Sequence, residues 1–480
     1  MTTPLWARDD IFAAVDGVSG SNTNRPDWHA TGVSIDSRNI KPGDLFVAIE
    51  GPNADGHDYV EMAFKAGAVA AIVHRPVAMA TGHLVLVKDT LAALEGLARF
   101  ARARLSGDAR VCAVTGSVGK TGTKDMLVHI LSQQGKTAST LGNLNNHWGL
   151  PLSLARVPAD CKFVVLELGM NHAGELLPLT ALARPHAAII TTVDAVHMEF
   201  FESVADIADA KAEIFSGLEP DGIAIINADN QFRDRLFKAA RRAGTASIRT
   251  FGVAADADVR LIEWQPHDDG STVTAEVDDL KLAYRIPTEG RHIALNSTGV
   301  LAVVQAIGAD VVHAAQSISE SEAPKGRGSR EKIAWHGSSL TVIDDSYNAS
   351  PVAVKAALNA LALVPVAQDG RRLVVLGDML ELGDQAPAYH AALAGLCVDS
   401  GAELVFTAGP LMQNLFDALP KTQRGGHAAT STELAPLVVS ALKPGDVVLV
   451  KGSKGSRMGV VIDAIRTATA IIPKIVVNGD

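Results

Sequence analysis

The most informative stretch of the chain is Val114-Thr-Gly-Ser-Val-Gly-Lys-Thr121. An apolar run from Val111 to Val114 leads into it, and a helical pattern from Lys120 to about Gln134 leads out of it. A strand, a glycine-containing loop and a helix that starts with Lys-Thr are the parts of a phosphate-binding loop, where backbone N–H groups and the positive end of the helix surround a polyphosphate. The stretch predicts an α/β domain that binds a nucleotide.

The residues of this loop have distinct predicted roles. Its glycines let backbone N–H groups turn inward, Lys120 can reach the β- and γ-phosphates, and the Thr121 hydroxyl can bind Mg²⁺. The general motif has glycine at the position of Val114, so the loop has the shorter T-G-x-x-G-K-T form. A tight strand-to-helix turn is the alternative, which Lys-Thr at a helix start disfavours. The residues predicted to contact the nucleotide are Thr115, Gly116, Ser117, Val118, Gly119, Lys120 and Thr121.

Length and composition limit the class of protein. The chain has 480 residues, 47% of them hydrophobic, and a net charge of −10. This length suggests about three domains, and the acidic balance argues against nucleic acid as the main partner. Three widely spaced cysteines show neither a zinc spacing nor a disulfide framework, which indicates a reducing compartment. Without a signal peptide or a long apolar run, we expect a cytoplasmic protein that does not insert into a membrane. We also expect it to be a monomer.

The pattern along the chain predicts three α/β domains. Residues 1–84 read as a small N-terminal domain, residues 85–322 as the central phosphate-loop domain, and residues 323–480 as a C-terminal Rossmann-like domain. Short alternating runs between about 245 and 287 predict an antiparallel extension of the central sheet. The stretch from Ala323 to Arg330, rich in glycine and basic residues, marks the linker between the last two domains.

Three polar residues in the central domain occupy positions where ligands bind. Glu167 lies near the carboxyl end of the apolar strand Phe163 to Gly169, where a carboxylate can hold Mg²⁺. His197 follows another apolar strand and is either a ligand or a structural residue. Lys211 falls beside apolar positions of a helix predicted from Val204 to Leu218, so that it either reaches solvent along its stem or has a chemical reason to be buried.

Other polar clusters are open to two interpretations. Ser37 and Arg38 suit a diphosphate or a sugar, or belong to a turn with a solvated arginine. The loop Gly142 to Pro151 offers many amide groups to a sugar or peptide ligand, or is a plain turn; its candidate residues are Asn143, Asn145 and Asn146. In the C-terminal domain, three strands each end in polar residues, which places along one sheet edge Asp345, Asn348, Asp378 and Lys451.

Taken together, these segments resemble the Mur ligases, the cytoplasmic amide-forming ATPases of peptidoglycan precursor synthesis. The matching segments run along the whole chain: Asp36-Ser-Arg38, Thr115 to Thr121, Gly142 to Asn146, Glu167 to His172, Lys211 to Phe215, Asp344-Asp-Ser-Tyr-Asn348 and Leu376-Gly-Asp-Met-Leu-Glu-Leu-Gly383. The last two are similar to the member that joins D-alanyl-D-alanine to UDP-N-acetylmuramoyl-tripeptide. The Asp-Asn-Pro-Arg tetrapeptide expected of a member that adds meso-diaminopimelate is absent from the sequence.

The resemblance implies a role for each candidate residue. Lys120, Lys211 and His197 would be catalytic, with Lys211 at the position of a lysine that is carbamylated in related members. Thr121 and Glu167 would hold one Mg²⁺, and His197 would bind a second metal ion. The implied contacts to ATP outside the loop are His292, Asn296, Arg327 and Asp345. The implied substrate contacts are Ser37 and Arg38 for UDP, with Asn143, Asn145, Asn146 and Asn348 elsewhere.

Several points stay open at this stage. The family usually has asparagine at the position of Ile293, and the linker sequence leaves Arg327 and Arg330 as alternative phosphate contacts. The third residue of the peptide substrate is either meso-diaminopimelate or lysine. Alternative functions are another ligase of the same architecture, such as a third-residue-adding enzyme or a folate polyglutamate synthase, and an ATP-driven switch without peptide chemistry.

Overall fold

The computed structural model describes residues 4–20, 27–77, 82–267, 270–321 and 326–470. The predicted boundary between residues 322 and 323 lies outside the described residues, as do the linker residues Ala323, Pro324 and Lys325. None of the described helices combines the length and the apolar character that crossing a bilayer requires. The three cysteines are free and buried.

The N-terminal part is a small α/β sheet. Its described elements are β1 (Trp6–Ala7), α1 (Arg8–Val15), β2 (Val18–Ser19), β3 (His29–Ala30), β4 (Gly32–Ser34), β5 (Asp44–Val47), α2 (Val60–Lys65), β6 (Ala70–Val73), β7 (His83–Leu86) and α3 (Thr90–Ala103). The main sheet has the order β2-β7-β6-β5-β4, and its last four strands are parallel. The predicted boundary between residues 84 and 85 falls inside β7, so the N-terminal sheet continues to Leu86.

The central part is built on a nine-stranded sheet. Its elements are β8 (Arg110–Thr115), α4 (Lys120–Ser132), β9 (Thr137–Ser139), α5 (Gly149–Ala155), β10 (Phe163–Glu167), α6 (Leu176–Ala183), β11 (Ala187–Ile190), α7 (Val204–Ala212), β12 (Ile223–Asn227), α8 (Arg233–Arg242), β13 (Ser247–Gly252), β14 (Val259–His267), β15 (Gly270–Val277), β16 (Leu280–Ile286), α9 (Arg291–Ala306) and α10 (Val311–Ile318).

The order of this sheet explains the position of the phosphate loop. The strands run β9-β10-β8-β11-β12-β13-β14-β15-β16, with β8 parallel to both of its neighbours. Helices cover both faces of the parallel sheet, which is why the middle of β8, Val111 to Val114, is apolar and buried. Helices α4 and α9 pack on one face and α5, α6 and α7 on the other. As predicted, β14 to β16 form an antiparallel extension.

The C-terminal part is a third, separate α/β sheet. Its elements are β17 (Ser329–Trp335), β18 (Ser338–Asp345), α11 (Pro351–Leu363), β19 (Arg372–Gly377), α12 (Ala386–Asp399), β20 (Leu404–Ala408), α13 (Gln413–Ala418), β21 (Arg424–Ala428), α14 (Ser431–Ala441), β22 (Val447–Lys451) and α15 (Gly459–Ala470). The sheet order is β17-β18-β22-β19-β20-β21, and only β17 pairs in the antiparallel sense. The predicted three-part α/β architecture is confirmed.

Candidate active site

A cavity of about 1130 Å³ joins the central and C-terminal parts of the molecule. On the central side it is lined by the phosphate loop, by the start of α9 and by the loop from Gly142 to Pro151, which we call the asparagine loop. On the other side it is lined by the turns that follow β18, β19 and β22. The carboxyl ends of parallel strands from two sheets therefore face one space, which is where open α/β sheets bind ligands.

Two glycines give the phosphate loop its shape. Gly116 has φ +150°, and a Cβ added there would lie 2.0 Å from Thr191 Oγ1. Gly119 has φ +86°, and its added Cβ would lie 2.6 Å from Asn296 Nδ2. Both residues must lack a side chain, because the loop passes close to its neighbours in a conformation that other residues rarely adopt. This geometry agrees with the role that the sequence predicts for the two glycines.

Lys120 lies at the start of α4 and points back over the loop. Its Nζ donates to Gly116 O at 2.7 Å and to Ser117 O at 3.4 Å. Burial lowers the pKa of Lys120, an effect that the Glu167 carboxylate opposes and the Arg327 charge reinforces. A phosphate that enters the loop can replace these carbonyl oxygens as the partner of the ammonium group.

Glu167 ends β10 at the wall of the cavity and is 3% exposed. Its Oε1 accepts a hydrogen bond from Asn145 Nδ2 at 2.8 Å, whereas its Oε2 is buried without a hydrogen-bond partner. A buried carboxylate oxygen without a partner is costly, and Mg²⁺ prefers oxygen ligands. Thr121 lines the same cavity. These observations fit the predicted magnesium site, although within the described residues no three His, Cys, Asp or Glu side chains form a metal-binding group.

Lys211 lies on α7 and is 1% exposed, so it does not reach solvent along its stem. Lys211 is not part of the cavity lining. Burial lowers the pKa of Lys211 well below its ordinary value, and the Lys120 charge adds to this effect. Both influences act against the charged ammonium form and in favour of the neutral amine.

His197 lines the cavity in a left-handed backbone conformation, with φ +54°. Its Nδ1 lies 2.5 Å from Oε2 of Glu381, a residue of the C-terminal part. The hydrogen bond with His197 lowers the pKa of Glu381, which keeps the carboxylate ionised. An ionised carboxylate only accepts hydrogen bonds, so the proton of this pair is on Nδ1 of His197.

The C-terminal edge of the cavity carries an ion pair. Lys451 Nζ donates to Asp345 Oδ2 at 2.7 Å and to Asn348 O at 2.9 Å. Burial raises the pKa of Asp345, and the Lys451 charge is the main opposing influence. Asp378, expected at the same edge, is not part of the cavity lining; its Oδ1 accepts from the backbone N–H of Met412 at 2.8 Å.

The two candidate arginines of the linker both line the cavity but have different neighbours. Arg330 forms an ion pair with Glu289 at 2.7 Å. The Arg327 guanidinium stacks over the Tyr347 ring at 4.1 Å, and its charge lowers the pKa of Lys120. Arg327 is therefore the arginine whose charge acts on the phosphate loop, and it is the better candidate for a phosphate contact.

His292 and Asn296 lie in the first turns of α9 and both line the cavity, as does Ile293. Burial of the imidazole and the nearby Lys451 charge lower the pKa of His292 to about 4. His292 is therefore neutral at pH 7. A neutral imidazole offers one donor and one acceptor to a ligand.

The structure separates some candidates from this cavity. Ser37 and Arg38 do not line it: Ser37 Oγ contacts Met62 Sδ at 3.6 Å, and the 82%-exposed Arg38 binds its neighbour Asp36 through two nitrogen atoms. Thr115 and Gly116 are not among the residues that line the cavity. The asparagine residues 143, 145 and 146 all line the cavity, but Asn146 Oδ1 accepts a hydrogen bond from the N–H of Gly149, the first residue of α5, at 2.9 Å.

Three contacts of the site were not predicted from the sequence. Asn145, predicted as a substrate contact, holds Glu167, and Glu381 holds His197. Glu381 belongs to the quoted segment Leu376 to Gly383, which is the signal that could have suggested it. Thr191, whose Oγ1 donates to Val118 O at 2.6 Å, fixes the phosphate loop and carries no sequence signal.

Comparison with known families covers most of the chain. Residues 29–102 match the model for the Mur ligase family, catalytic domain; residues 114–304 match the Mur ligase middle domain; and residues 331–454 match the Mur ligase, glutamate ligase domain. A relative from Rickettsia prowazekii (strain Madrid E), named UDP-N-acetylmuramoyl-tripeptide--D-alanyl-D-alanine ligase, is 33% identical over 96% of this chain and 99% of its own length. The chain belongs to the Mur ligase family.

Solved Mur ligase structures agree with this assignment. Crystal structure I of MurF from Acinetobacter baumannii is 28% identical, with a TM-score of 0.85 over 97% of this chain and 100% of that one. The MurF ligase from Thermotoga maritima in complex with ADP is 26% identical, with a TM-score of 0.77 over 92% of this chain and 98% of that one. This Mur ligase is an ATP-dependent ligase built from three α/β domains.

Proposed function

We propose that this Mur ligase joins D-alanyl-D-alanine to UDP-N-acetylmuramoyl-tripeptide and makes ADP and phosphate. The observation that carries the proposal is the position of the Asp344 to Asn348 segment, whose Asp345, Tyr347 and Asn348 line the same cavity as the phosphate loop. This segment is the part of the sequence that resembles the D-alanyl-D-alanine-adding member, and the relative from Rickettsia prowazekii bears the name of that activity.

The reaction has two steps in this proposal. The peptide carboxylate attacks the γ-phosphate and forms an acyl phosphate, with ADP as the leaving group. The amine of D-alanyl-D-alanine then attacks the acyl carbon and expels phosphate. Both steps place negative charge on phosphoryl or carboxyl oxygens, which Lys120 and Arg327 stabilise from opposite sides of the cavity.

The cavity also provides for binding and for the exclusion of water. His292 and Asn296 contact the nucleotide from α9, while Asp345 and Asn348 contact it or the amine from the C-terminal domain. The asparagine loop and Glu167 face the peptide end of the UDP substrate. Ser37 and Arg38 hold the UDP end of this substrate on the N-terminal domain. Closure of two sheets around one space positions both substrates and keeps water away from the acyl phosphate.

Thr121 and Glu167 would hold one Mg²⁺ in this enzyme, with His197 and a carbamylated Lys211 beside a second metal ion. The bound metal would offset the charge of the phosphates. Carbamylation joins the neutral Lys211 amine to CO₂ with release of one proton, which turns the amine into a negatively charged carbamate. The lowered pKa of Lys211 supports this reaction, because the neutral amine is the form that attacks CO₂.

A phosphate-release assay with ATP and UDP-N-acetylmuramoyl-tripeptide tests the proposal. Phosphate release should require D-alanyl-D-alanine, and single amino acids should not replace it. Turnover with a single amino acid would point to another ligase of this architecture, and ATP hydrolysis without any amine would point to a switch protein. Substrates that carry meso-diaminopimelate or lysine as the third residue, compared in the same assay, identify the natural peptide. We also infer that the protein is cytoplasmic and monomeric. Light scattering of the purified protein checks the oligomeric state.

A further inference from the structure

The turn that follows β19 projects from the C-terminal domain toward the central domain. We call residues Asp378 to Gly383 the 378–383 loop. Met379 and Leu382 are buried in the C-terminal core, whereas the side chains of Leu380 and Glu381 lie at the surface that faces the cavity. The proposed chemistry assigns no role to this loop, although its sequence is one of the segments that resemble the D-alanyl-D-alanine-adding member.

The backbone of the 378–383 loop is held by side chains from other elements of the C-terminal domain. Met379 N donates to Nε2 of the buried His390 at 3.0 Å, and Leu380 N donates to Ser453 Oγ at 3.0 Å. The carbonyl of Asp378 accepts from Ser453 N at 3.1 Å. Because these hydrogen bonds hold the loop before its tip and the buried Leu382 anchors it after the tip, the position of Glu381 moves with the C-terminal domain as a whole.

The tip of the loop contacts the His197 turn of the central domain. Glu381 Oε2 lies 2.5 Å from His197 Nδ1, and Glu381 O accepts from Glu199 N at 3.3 Å. A Cβ added at Gly383 would lie 3.3 Å from the Glu199 Cα. One side-chain and one backbone hydrogen bond therefore join the two domains at this point.

Both partners of the side-chain contact have unusual backbones. His197 has φ +54° and Glu381 has φ +62°. Residues other than glycine seldom adopt this left-handed conformation, and they keep it only where the surroundings enforce it. The two turns are therefore shaped so that the imidazole of one domain meets the carboxylate of the other.

We propose that Glu381 is a positioning residue, which fixes the His197 imidazole when the C-terminal domain docks on the central domain. The Nδ1–H of His197 donates to Glu381 Oε2, so this contact sets the orientation of the imidazole at the cavity wall. When the C-terminal domain moves away, His197 loses this orientation and the site is incomplete. The chemistry in the central domain thus requires that the C-terminal domain is docked on it. This part of the inference rests on the proposed ligase function.

A pair of variants that differ by one methylene group tests the inference. Glu381→Gln keeps an oxygen that can accept from Nδ1, whereas the amide of Glu381→Asn is one carbon too short to reach it. Asparagine also tolerates the left-handed backbone, so this variant should fold. Glu199→Gln is the control, because it removes a charge from the same turn but retains the backbone N–H that contacts the loop.

The first measurement is hydrogen exchange of the peptide that contains residues 195–203, made on the full chain without substrates. In Glu381→Asn, exchange in this peptide should be about tenfold faster than in the wild type, because one charge-assisted hydrogen bond between the domains is lost. Glu381→Gln and Glu199→Gln should resemble the wild type. If the Asn and Gln variants behave alike, the side-chain contact does not hold His197, and the proposal is overturned.

The second measurement separates positioning from nucleotide binding. Glu381→Asn should lower kcat by about 10- to 100-fold, the range found when the carboxylate partner of a functional histidine is removed. Its affinity for ADP, measured by calorimetry, should change less than twofold. Unchanged kcat in this variant would contradict the inference. If the wild type makes no product with D-alanyl-D-alanine, the proposed function fails, but the exchange comparison still tests the contact.

Discussion

Lys120 illustrates how much a single residue contributes to the site. Its ammonium group is bonded to two carbonyl oxygens of its own loop, and burial lowers its pKa. Both observations show a charge that is held in a partly dehydrated place, where the Glu167 carboxylate acts on it but forms no ion pair with it among the described residues. A phosphate satisfies this charge better than carbonyl oxygens do.

We expect Lys120→Ala to lower the rate of ATP-dependent phosphate release by about 100- to 1000-fold, since it removes a preorganised cation from the transition state. The melting temperature should change little. The matched control is Lys238→Ala, which removes an exposed lysine from α8 and should leave the rate unchanged. Retained activity in Lys120→Ala would contradict the role of the phosphate loop.

We expect Lys211→Ala to be nearly inactive and to regain activity when a short carboxylic acid such as formate or acetate is added. The truncated side chain leaves a space in which the acid can take the place of the carbamate. The rescue is read in the phosphate-release assay, with Lys238→Ala measured under the same acid concentrations. An inactive variant that no acid rescues would show Lys211 to be structural.

At this scale the sequence predicted residue types better than residue partners. Lys120 and Glu167 were found because each follows a strand in a recognisable pattern. The partner of His197 lies 184 residues away in the chain, so only the fold brings the two together. Ser37 and Arg38 were singled out for their chemistry, but Arg38 is engaged with Asp36.

At the scale of elements, the phosphate loop depends on how closely β8 and β11 approach each other. Gly116 is the point of contact, where Thr191 would collide with any side chain. Gly122, two residues into α4, has open space around it. The same residue type is thus required at one position and dispensable at the other.

Gly116→Ala should reduce the free energy of unfolding by about 1–3 kcal/mol, because alanine cannot adopt φ +150° without strain and its methyl group would overlap Thr191. Gly122→Ala should increase it by about 0.5–1 kcal/mol, since alanine favours the helix. Chemical denaturation of both variants measures the difference. Equal stability of the two would show that the loop is not as tightly packed as the contact to Thr191 implies.

Most elements of the fold were predictable, because parallel strands buried on both faces are continuous apolar runs. The residues at which helices and strands end were harder to predict. The helix predicted from Val204 to Leu218 is α-helical only to Ala212 and continues as a 3₁₀ turn to Gly217. There the Gly217 backbone passes so close to Thr180 that a Cβ would lie 2.3 Å from Thr180 O. Such close tertiary packing is invisible in the local pattern.

At the scale of the whole molecule, the three domains do not have three independent cores. Leu152 and Ala155 of α5 belong to the N-terminal core, and Trp6 Nε1 donates to Ala155 O at 2.8 Å. Arg156 Nε also donates to Val33 O at 2.7 Å. In contrast, the two C-terminal clusters contain only residues of the C-terminal part. The N-terminal and central parts should therefore behave as one unit, and the C-terminal part as another.

Calorimetric unfolding should show two transitions, because the shared core joins the first two domains. ADP should raise both transition temperatures, since the cavity is lined by both units. At 100 times its dissociation constant, ADP adds about 2.7 kcal/mol to the stability of the bound form. Three separate transitions, or an ADP effect on one transition alone, would contradict this division of the molecule.

The buried cysteines have a practical consequence. Burial raises the pKa of Cys112 and of Cys397 to about 12, and it also raises that of Cys161. At pH 7 a thiol with a pKa of about 12 is ionised in roughly one molecule in 100,000, and thiolates are the species that react with maleimides. The native chain is therefore ready for site-specific dye labelling: a cysteine introduced on each side of the cavity would report the motion of the two units one molecule at a time.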